Sequence, residues 1–319
     1  MVERVINKNV PTDKLRLQAS EKNSDWSDKM FSSFIDNISQ TDIKFYPNVE
    51  NLYSKVSTHY GAPFLAFGTG SDKCIEYFFV SNLHKKKVVY CTPSFPMYGI
   101  YTRVYKFTPV EVSYVDTTFP YQAYLDSITE DSICILTNPG SPLGDILPKW
   151  FIEKVLEKNV PTLIDEAYIE FSDCESCILM LKNYGNLYIT RTFSKAYGSA
   201  GVRFGTIFST ETNIKSILQF RSMYEINSLT LKWVETLLDN MEEVKEYWGK
   251  VKQVRNQIID ICKLKRIPIV EGYSNWVHIQ YSDLPGNVIF KTNCSIPGST
   301  DSWVRLQITD NIKDYEWIK

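Results

Sequence analysis

One lysine of the chain stands in a setting that could make it a nucleophile. Lys195 follows a predicted strand in the segment Thr-Phe-Ser-Lys-Ala, residues 192–196, among hydroxyl-bearing and small side chains. A lysine partly removed from water loses its proton more readily and can then form a Schiff base with a carbonyl compound. Arg203 lies eight residues further on, and with the hydroxyls it could hold a phosphate. A surface lysine followed by a glycine-rich loop is the alternative.

Two adjacent carboxylates follow another apolar run. Asp165 and Glu166 come directly after the sequence Thr-Leu-Ile at residues 162–164. A buried carboxylate is costly unless a cation pairs with it. For Asp165, a metal ion such as Mg²⁺ or a cationic ring nitrogen would supply that partner. Carboxylates exposed beyond the end of the strand are the alternative.

A glycine-rich turn forms a third candidate site. Residues 67–72 are Phe-Gly-Thr-Gly-Ser-Asp and lead from a predicted strand into a predicted helix. Glycines let the backbone approach an anion closely, and the N-terminus of a helix presents free N–H groups. The turn therefore indicates a phosphate site, with a tight turn capped by Ser71 or Asp72 as the alternative. A further segment at 137–144, Thr-Asn-Pro-Gly-Ser-Pro-Leu-Gly, indicates by itself only a loop.

The sequence between residues 62 and 210 predicts a scaffold that could bring these segments together. Short β-branched or aromatic runs alternate there with helical stretches, which is typical of an α/β fold with a mainly parallel sheet. The predicted strands are 64–67, 87–91, 111–115, 132–137, 162–165, 187–190 and 203–208, and the predicted helices are 72–83, 95–104, 149–158 and 211–221. In such sheets ligands bind outside the carboxyl ends of the strands.

The C-terminal third of the chain predicts a second, smaller unit. One long helix is predicted from Leu229 to Leu264, because apolar residues recur there at a spacing of three to four. Short extended runs follow at 267–270, 276–280, 288–291 and 303–308. We therefore expect a smaller α+β domain joined to the first by the long helix. Residues 1 to about 45 are polar and only weakly patterned.

Composition excludes several classes of protein. The 319 residues carry 35 Lys+Arg and 37 Asp+Glu, so the net charge of -2 gives no basic surface for nucleic acid. No apolar run approaches the ~20 residues needed to span a membrane, and residues 1–14 lack the apolar core of a signal peptide. Seven cysteines are too few for a disulfide scaffold, and the Cys174–Cys177 pair lacks the further ligands of a zinc site. We expect a cytoplasmic protein that binds no nucleic acid, no membrane and no metal.

Taken in order, the segments resemble those of the fold type I pyridoxal-phosphate enzymes, and especially the histidinol-phosphate branch of the class I/II aminotransferases. RTFSKAYGSAGVRFG (191–205) is similar to that branch's lysine segment, and DEAYIEF (165–171) is similar to its aspartate segment. FGTGSDKCIEYFF (67–79) matches the phosphate turn and TPSFPMYGIY (92–101) the aromatic segment, while TNPGSPLG (137–144) is a looser match. The resemblance spans about residues 15–309 and implies pyridoxal 5'-phosphate as cofactor.

The resemblance implies a role for each matching residue near the cofactor ring. Lys195 would form the Schiff base with the cofactor aldehyde and then carry the proton between the substrate Cα and the cofactor. Asp165 would pair with the pyridine nitrogen and keep it protonated, which makes the ring an electron sink. Asn138 and Tyr168 would donate hydrogen bonds to the phenolate oxygen of the ring. Phe95 would stack on the ring face, with core packing as the alternative.

The cofactor phosphate would be held by a second group of residues. The resemblance assigns this role to the backbone N–H groups of Ser71 and Asp72, the hydroxyls of Thr192 and Ser194, and the guanidinium of Arg203. Tyr46 matches a tyrosine that reaches the cofactor phosphate of a neighbouring subunit, which implies a homodimer with a shared active site.

The substrate side of the site shows both matches and departures. Arg305 matches the arginine that binds the substrate α-carboxylate, and a guanidinium suits a carboxylate because it donates two parallel hydrogen bonds. Lys291 stands where the histidinol-phosphate branch often has an arginine near the substrate, and the resemblance implies that Asn138 also contacts the substrate. Lys73 and the pair Gly140-Ser141 replace residues common in the family. The chain stops at Lys319, so we expect a short small domain.

The resemblance implies a pyridoxal-phosphate-dependent aminotransferase. It would move an amino group from an amino acid donor to a 2-oxo acid or a phosphorylated ketone by a ping-pong mechanism. A decarboxylase of a phosphorylated amino acid on the same scaffold is the first alternative, and a non-catalytic binding protein is the second. The expected domains are a large cofactor-binding domain at 41–228 and a small C-terminal domain at 229–319, with the N-terminal segment 1–40 associated with the small domain.

Overall fold

The computed structural model describes residues 14–318 of the chain. The expectation that no signal peptide begins the chain concerns residues that lie almost entirely outside this described part. The strands are β1 (Leu15–Leu17), β2 (Leu65–Gly68), β3 (Lys87–Thr92), β4 (Thr108–Ser113), β5 (Ser132–Thr137), β6 (Thr162–Asp165), β7 (Leu187–Thr192), β8 (Gly205–Phe208), β9 (Ile269–Val270), β10 (Trp276–Ile279), β11 (Val288–Cys294) and β12 (Trp303–Gln307).

Helices pack around the two sheets that these strands form. They are α1 (Asp28–Asp36), α2 (Gln40–Lys44), α3 (Glu50–Tyr60), α4 (Ser71–Ser81), α5 (Pro96–Val104), α6 (Tyr121–Asp126), α7 (Lys149–Leu156), α8 (Glu211–Leu218), α9 (Ser228–Asp239) and α10 (Met241–Leu264). Within residues 14–318, none of the helices is long and apolar enough to cross a bilayer.

The larger sheet has seven strands in the order β2-β8-β7-β6-β5-β3-β4. β8 is antiparallel to both of its neighbours, and the other neighbouring strands run parallel. The prediction of an α/β fold with a mainly parallel sheet is therefore confirmed. β6 is buried along its whole length, with Leu163 packing into the core on one face and Ile164 into the core on the other. Burial on both faces explains why the central strands are apolar runs without alternation.

The register of this sheet places the carboxyl ends of its central strands at one edge. Thr137, the last residue of β5, pairs with Asp165, the last residue of β6, which in turn pairs with Thr190 of β7. β2 ends nearby at Gly68, and α4 begins three residues later at Ser71. The segments that carry the candidate site residues thus follow strands that end side by side.

The smaller sheet has five strands in the order β1-β11-β12-β10-β9 and joins the two ends of the chain. β1 pairs in parallel with β11, and the other neighbours are antiparallel. This arrangement confirms the expected smaller α+β unit formed by both chain ends. β1, α1 and α2 lie in a region whose sequence is only weakly patterned, because a three-residue strand is too short to show a period.

The predicted single helix from Leu229 to Leu264 is wrong in one respect. The structure has two helices, α9 and α10, which meet at Asn240 with non-helical angles of φ −119° and ψ 38°. The Asn240 side chain donates to the carbonyl of Thr236 at 2.8 Å, and its N–H donates to the carbonyl of Leu237 at 3.1 Å. Asparagine competes in this way with regular helical bonding, so it ends one helix without interrupting the apolar periodicity.

The remaining differences are short shifts and two missed helices. β4 begins at Thr108 rather than 111, and it includes Pro109, which the edge position of this strand tolerates. α3 and α6 have no predicted counterpart. α3 buries only Leu52 and Val56, which is too few apolar residues for a clear helical period.

Candidate active site

A cavity of about 310 Å³ opens where the strands of the larger sheet end. It is lined by residues from the lysine, aspartate, aromatic and phosphate-turn segments, which are far apart in sequence. The predicted site residues that line it are Ser71, Asp72, Phe95, Asp165, Tyr168, Thr192, Ser194, Lys195 and Arg203. We call it the inner cavity.

Lys195 lines the inner cavity and lies in the turn that follows β7. Its ammonium group donates to the backbone carbonyl of Ala19 at 2.8 Å and lies 5.8 Å from the centre of the Tyr168 ring. Ala19 belongs to the segment after β1, so the N-terminal part of the chain contacts the lysine. The contact with Ala19 could not be predicted, because it joins residues 176 positions apart.

Asp165 ends β6, lines the inner cavity and is 4% exposed. Tyr98 donates to Oδ2 at 2.8 Å, while Thr190 and the Ala167 N–H donate to Oδ1 at 3.1 Å and 3.2 Å. Burial raises the pKa of Asp165 to about 6, although these hydrogen bonds act in the opposite direction. Within residues 14–318 no ion pair involves this carboxylate. A carboxylate offers about four acceptor sites, so it can still accept from a cationic N–H group in the cavity.

The phosphate turn and Arg203 form a cradle at one side of the inner cavity. α4 begins at Ser71 without a side-chain cap on its first N–H groups. A Cβ atom on Gly70, which has a φ of +83°, would lie 2.4 Å from Nη2 of Arg203, so only glycine lets the arginine lie against this turn. Arg203 also donates to the Ser194 hydroxyl at 3.2 Å and lies 3.4 Å from a carboxylate oxygen of Asp72. Free N–H groups, a hydroxyl and a guanidinium in one place suit a phosphate.

Two other predicted residues differ in their relation to this cavity, because Phe95 lines it and Asn138 does not. Phe95 precedes α5 and its ring packs edge to face against Tyr98 at 5.7 Å. Asn138 does not line the inner cavity, although it directly follows Thr137, which does. Its side-chain oxygen accepts from the Leu147 N–H at 3.0 Å, which leaves its amide NH₂ as the group that can donate to a ligand.

A second cavity of about 510 Å³ adjoins the first and faces the smaller sheet. We call it the outer cavity. Lys195, Tyr168 and Phe95 line both cavities, and Arg305 and Lys291 line the outer one. Arg305 is 8% exposed, donates to the carbonyl of Gln18 at 2.7 Å and lies over the Trp276 ring. The lining residues include no aspartate or glutamate, so this cavity favours anions.

Tyr46 lies outside both cavities of its own chain. Its side chain is 74% exposed and stacks on Tyr224, with ring centres 3.8 Å apart. The structure therefore does not bring Tyr46 together with the other predicted site residues within one chain.

Glu166 serves a different purpose from its neighbour Asp165. It points away from the inner cavity and is fully buried against Arg191, whose Nε lies 3.0 Å from its carboxylate. The Ser176 hydroxyl and the Cys177 N–H each donate to it at 2.6 Å, and Glu170 pairs with the same arginine at 2.8 Å. Adjacent residues of an extended strand point to opposite faces, so the two carboxylates are separated by the backbone.

Removing Glu166 is expected to destabilise the protein rather than to change its chemistry. Glu166→Ala leaves Arg191 with only one carboxylate in a buried setting, so the free energy of unfolding should fall by about 3–5 kcal/mol. Glu211→Ala is the matched control, because Glu211 forms an exposed ion pair with Lys215 one helical turn away. This substitution should lower the free energy of unfolding by less than about 0.5 kcal/mol. Urea denaturation measures both. Equal effects for the two variants would show that the buried ion pairs of Arg191 with Glu166 and Glu170 do not stabilise the fold.

Comparison with known proteins identifies the family. The family model for aminotransferase class I and II matches residues 12–309 of the chain. The chain belongs to the class I and II aminotransferases. The prediction of a pyridoxal-phosphate-dependent aminotransferase of fold type I is confirmed by this match and by the relatives and structures that follow.

Known members and fold neighbours of this aminotransferase cover most of its length. The histidinol-phosphate aminotransferase of Clostridium novyi is 29% identical over 279 residues, which is 83% of this chain and 77% of the relative. The structure of histidinol-phosphate aminotransferase from Sinorhizobium meliloti in complex with pyridoxal-5'-phosphate has a TM-score of 0.78 at 21% identity and covers 92% of this chain and 86% of that one. L-threonine-O-3-phosphate decarboxylase from Porphyromonas gingivalis shares the fold with a TM-score of 0.76 at 16% identity, covering 95% and 97%.

The inner cavity fits the cofactor of this family. Asp165 is a buried carboxylate that lacks a cation, and the protonated ring nitrogen of pyridoxal phosphate is a cation of suitable shape. The cradle at Gly70, Ser71 and Arg203 suits the phosphate, and the Lys195 side chain lines the same cavity. Two residues missed from the sequence complete this setting, since Tyr98 and Thr190 hold the Asp165 carboxylate. Tyr98 could have been noticed because it lies in the aromatic segment three residues after Phe95.

Proposed function

We propose that this aminotransferase moves an amino group from an amino acid donor to a 2-oxo acid or a phosphorylated ketone, as the names of its relatives suggest. The observation that carries the proposal is the position of Lys195. Its side chain lines both cavities, with the aspartate and the phosphate cradle on one side and Arg305 and Lys291 on the other. The amine therefore faces both the expected cofactor and the expected substrate.

The proposed catalytic residues are Lys195, Asp165 and Tyr168. When bound, pyridoxal phosphate supplies an aldehyde that takes the amino group and a ring that delocalises the electrons of the substrate Cα–H bond. Lys195 would hold the cofactor covalently and, once released by the substrate amine, carry a proton from the substrate Cα. Asp165 would keep the ring nitrogen protonated, and its burial excludes water that would weaken this interaction. Tyr168 and the Asn138 amide would donate to the phenolate oxygen.

The remaining residues of the inner cavity would orient the cofactor. Phe95 would stack on the ring, and the Ser71 and Asp72 N–H groups would bind the phosphate. The Thr192 and Ser194 hydroxyls would donate to the same phosphate. Arg203 would then exchange its long contact with the Asp72 carboxylate for a shorter one with the phosphate, because a dianion attracts the guanidinium more strongly.

The outer cavity is proposed to bind the substrate. Arg305 would bind a carboxylate through parallel hydrogen bonds, and Lys291 would bind a second anionic group, a carboxylate or a phosphate. Asn138 lines neither cavity, and its proposed contact with the substrate would be made through its amide NH₂. These residues support transamination, because a carboxylate fixed by Arg305 keeps its bond to Cα out of the cleaved position.

A panel of amino donors tests this function. The loaded enzyme would be mixed in turn with glutamate, alanine, aromatic amino acids, histidinol phosphate and phosphoserine, and the visible absorption of the bound cofactor followed. We expect one donor to bleach this absorption and a 2-oxo acid to restore it, in the alternating order of a ping-pong reaction. Release of carbon dioxide from phosphoserine without bleaching would contradict transamination and favour the decarboxylase.

We also propose a homodimer whose two active sites share residues. A groove of about 670 Å³ lies beside the inner cavity, and Arg203 lines both. Large apolar side chains are exposed near Tyr46, including Ile43 at 74% and Phe45 at 64%. Such a surface is typical of a protein interface. A partner chain on this surface could bring its Tyr46 to the phosphate cradle.

Mixing two inactive variants tests the shared site. Tyr46→Ala and Lys195→Ala chains would be unfolded together and refolded. If Tyr46 serves the partner, each mixed dimer regains one intact site, and random assortment gives roughly a quarter of wild-type activity. Lys195→Ala mixed with Asp165→Asn is the control and should regain none, because both lesions affect the chain that carries them. No recovery in the first mixture would contradict the shared site.

The domain division and the location of the protein complete the proposal. We place the large cofactor-binding domain at 41–228 and the small domain at 229–319, with segment 1–40 associated with the latter. The pairing of β1 with β11 supports the association of the N-terminal segment with the small domain. A cytoplasmic location is proposed because the reaction consumes common metabolites and the cysteines of the described residues are free thiols.

A further inference from the structure

The outer cavity contains a buried histidine without a hydrogen-bond partner among the described residues. His278 is 1% exposed, and neither Nδ1 nor Nε2 is hydrogen bonded. It lines the outer cavity together with Arg305 and Lys291. Leaving a buried polar group without a hydrogen bond is costly, so such groups in folded proteins meet a ligand or a water. An imidazole with both nitrogens unmatched beside a cavity indicates that something in the cavity completes its bonding.

The register of the smaller sheet fixes the neighbours of this histidine. His278 of β10 lies directly opposite Arg305 of β12, and Arg305 lies directly opposite Lys291 of β11. Residues directly opposite each other point to the same face of a sheet, with Cβ atoms about 4.5–5.5 Å apart. The flanking residues Val277 and Ile279 point to the other face and are buried in the core. His278, Arg305 and Lys291 therefore form one row across the face that lines the outer cavity.

The chemistry of His278 differs from that of the other two members of the row. Burial, reinforced by the positive charges of Arg305 and Lys291, lowers the pKa of His278 to about 3. The ring is consequently neutral in the physiological range and offers one donor and one acceptor. Arginine and lysine only donate. Within this row, only the histidine can both give and receive a hydrogen bond.

We propose that His278 determines substrate specificity by hydrogen bonding a polar group of the substrate beside the carboxylate that Arg305 binds. The inference rests on the proposed role of the outer cavity as the substrate site. Since the two side chains are adjacent in the row, the group that His278 binds lies close to the carboxylate in the same substrate. The favoured substrates are therefore amino acids or oxo acids with a hydroxyl, an amide or a ring N–H in the side chain. A hydrocarbon side chain would leave the buried imidazole unpaired and would be disfavoured.

Pairs of donors that differ in one hydrogen-bonding group test this inference. We would compare kcat/KM for threonine against valine, glutamine against methionine, and tyrosine against phenylalanine, in the wild type and in His278→Leu. We expect the wild type to prefer the polar member of at least one pair by roughly 10- to 100-fold, and the leucine variant to lose that preference to within about threefold. His278→Gln retains a donor and an acceptor and should keep part of the preference. His84→Leu, a substitution of an exposed histidine, is the matched control and should change nothing.

Two further measurements separate the possible causes of a change. Binding of maleate, an unreactive dicarboxylate, would be measured by calorimetry to the same loaded proteins, so that a loss of Arg305 geometry in a variant is detected independently of turnover. Cofactor loading is measured from the visible absorption of the bound cofactor. It tests the proposed function itself and should be the same in all variants. Loading without any preference between the paired donors, or an unchanged preference in His278→Leu, would overturn the role of His278. Failure of the wild type to transfer any amino group would instead contradict the proposed function.

Discussion

Replacing Lys195 with alanine is expected to lower transamination by roughly 10⁴-fold or more while leaving the fold intact. The lysine is proposed to serve twice, as the covalent anchor of the cofactor and as the group that moves the Cα proton. Loss of a general acid–base group alone typically costs 10²–10⁴-fold. The side chain contacts the fold mainly through one hydrogen bond to Ala19, so its removal should change stability little. Steady-state assays with the best donor measure the loss.

The control for this variant is Lys86→Ala. Lys86 is an exposed residue, 3.7 Å from Asp131, and has no contact with either cavity. It should retain full activity and the same visible absorption as the wild type. Turnover by Lys195→Ala at a rate near that of the control would mean that another group carries the proton.

Asp165→Asn is expected to lower activity by roughly 10²–10⁴-fold and, without cofactor, to raise stability. The amide has the shape of the carboxylate but no charge, so it cannot hold the proton on the ring nitrogen, and the electron-withdrawing power of the ring falls. Electrostatic groups of this kind typically contribute 10²–10³-fold or more. Assays of turnover measure the loss of activity, and urea denaturation of the cofactor-free protein measures the gain in stability.

The effect of Asp165 on stability depends on pH. Its pKa is raised by burial to about 6 from an ordinary 3.8, so the folded chain binds this proton more tightly than the unfolded chain. Stability without cofactor therefore falls as the pH rises from about 4 to 6 and stays lower above that range. At 1.36 kcal/mol per pH unit, Asp165→Asn should gain about 2–3 kcal/mol at neutral pH and almost nothing below pH 4. A loss of stability at neutral pH would contradict the burial of an unpaired carboxylate.

The sequence predicts the residues proposed to contact the cofactor better than it predicts the residues that hold them in place. Lys195, Asp165 and Arg203 are assigned roles because their segments match, in order, those of a known family. Composition and spacing alone leave a surface lysine and exposed carboxylates as alternatives. The mainly parallel sheet was predictable because strand-like runs alternate with helical stretches between residues 62 and 210.

What could not be predicted depends on contacts between distant parts of the chain. The pairing of Glu166 with Arg191 joins the residue that follows β6 to a residue of β7 and carries no local signal in the sequence. The bond between Lys195 and Ala19 and the strand β1 exist only because the N-terminal segment returns to the C-terminal sheet. His278 illustrates the same limit, because its position opposite Arg305 follows from strand register and not from its place in the sequence.

The central claim is that Lys195 carries the cofactor, and chemical trapping tests it most directly. The protein would be incubated with pyridoxal phosphate, reduced with borohydride and digested, and its peptides analysed by mass spectrometry. We expect a single modified peptide with the added mass on Lys195, and none from the Lys195→Ala variant. Modification of another lysine, or an unmodified Lys195 peptide in a protein that turns over its substrates, would contradict the claim.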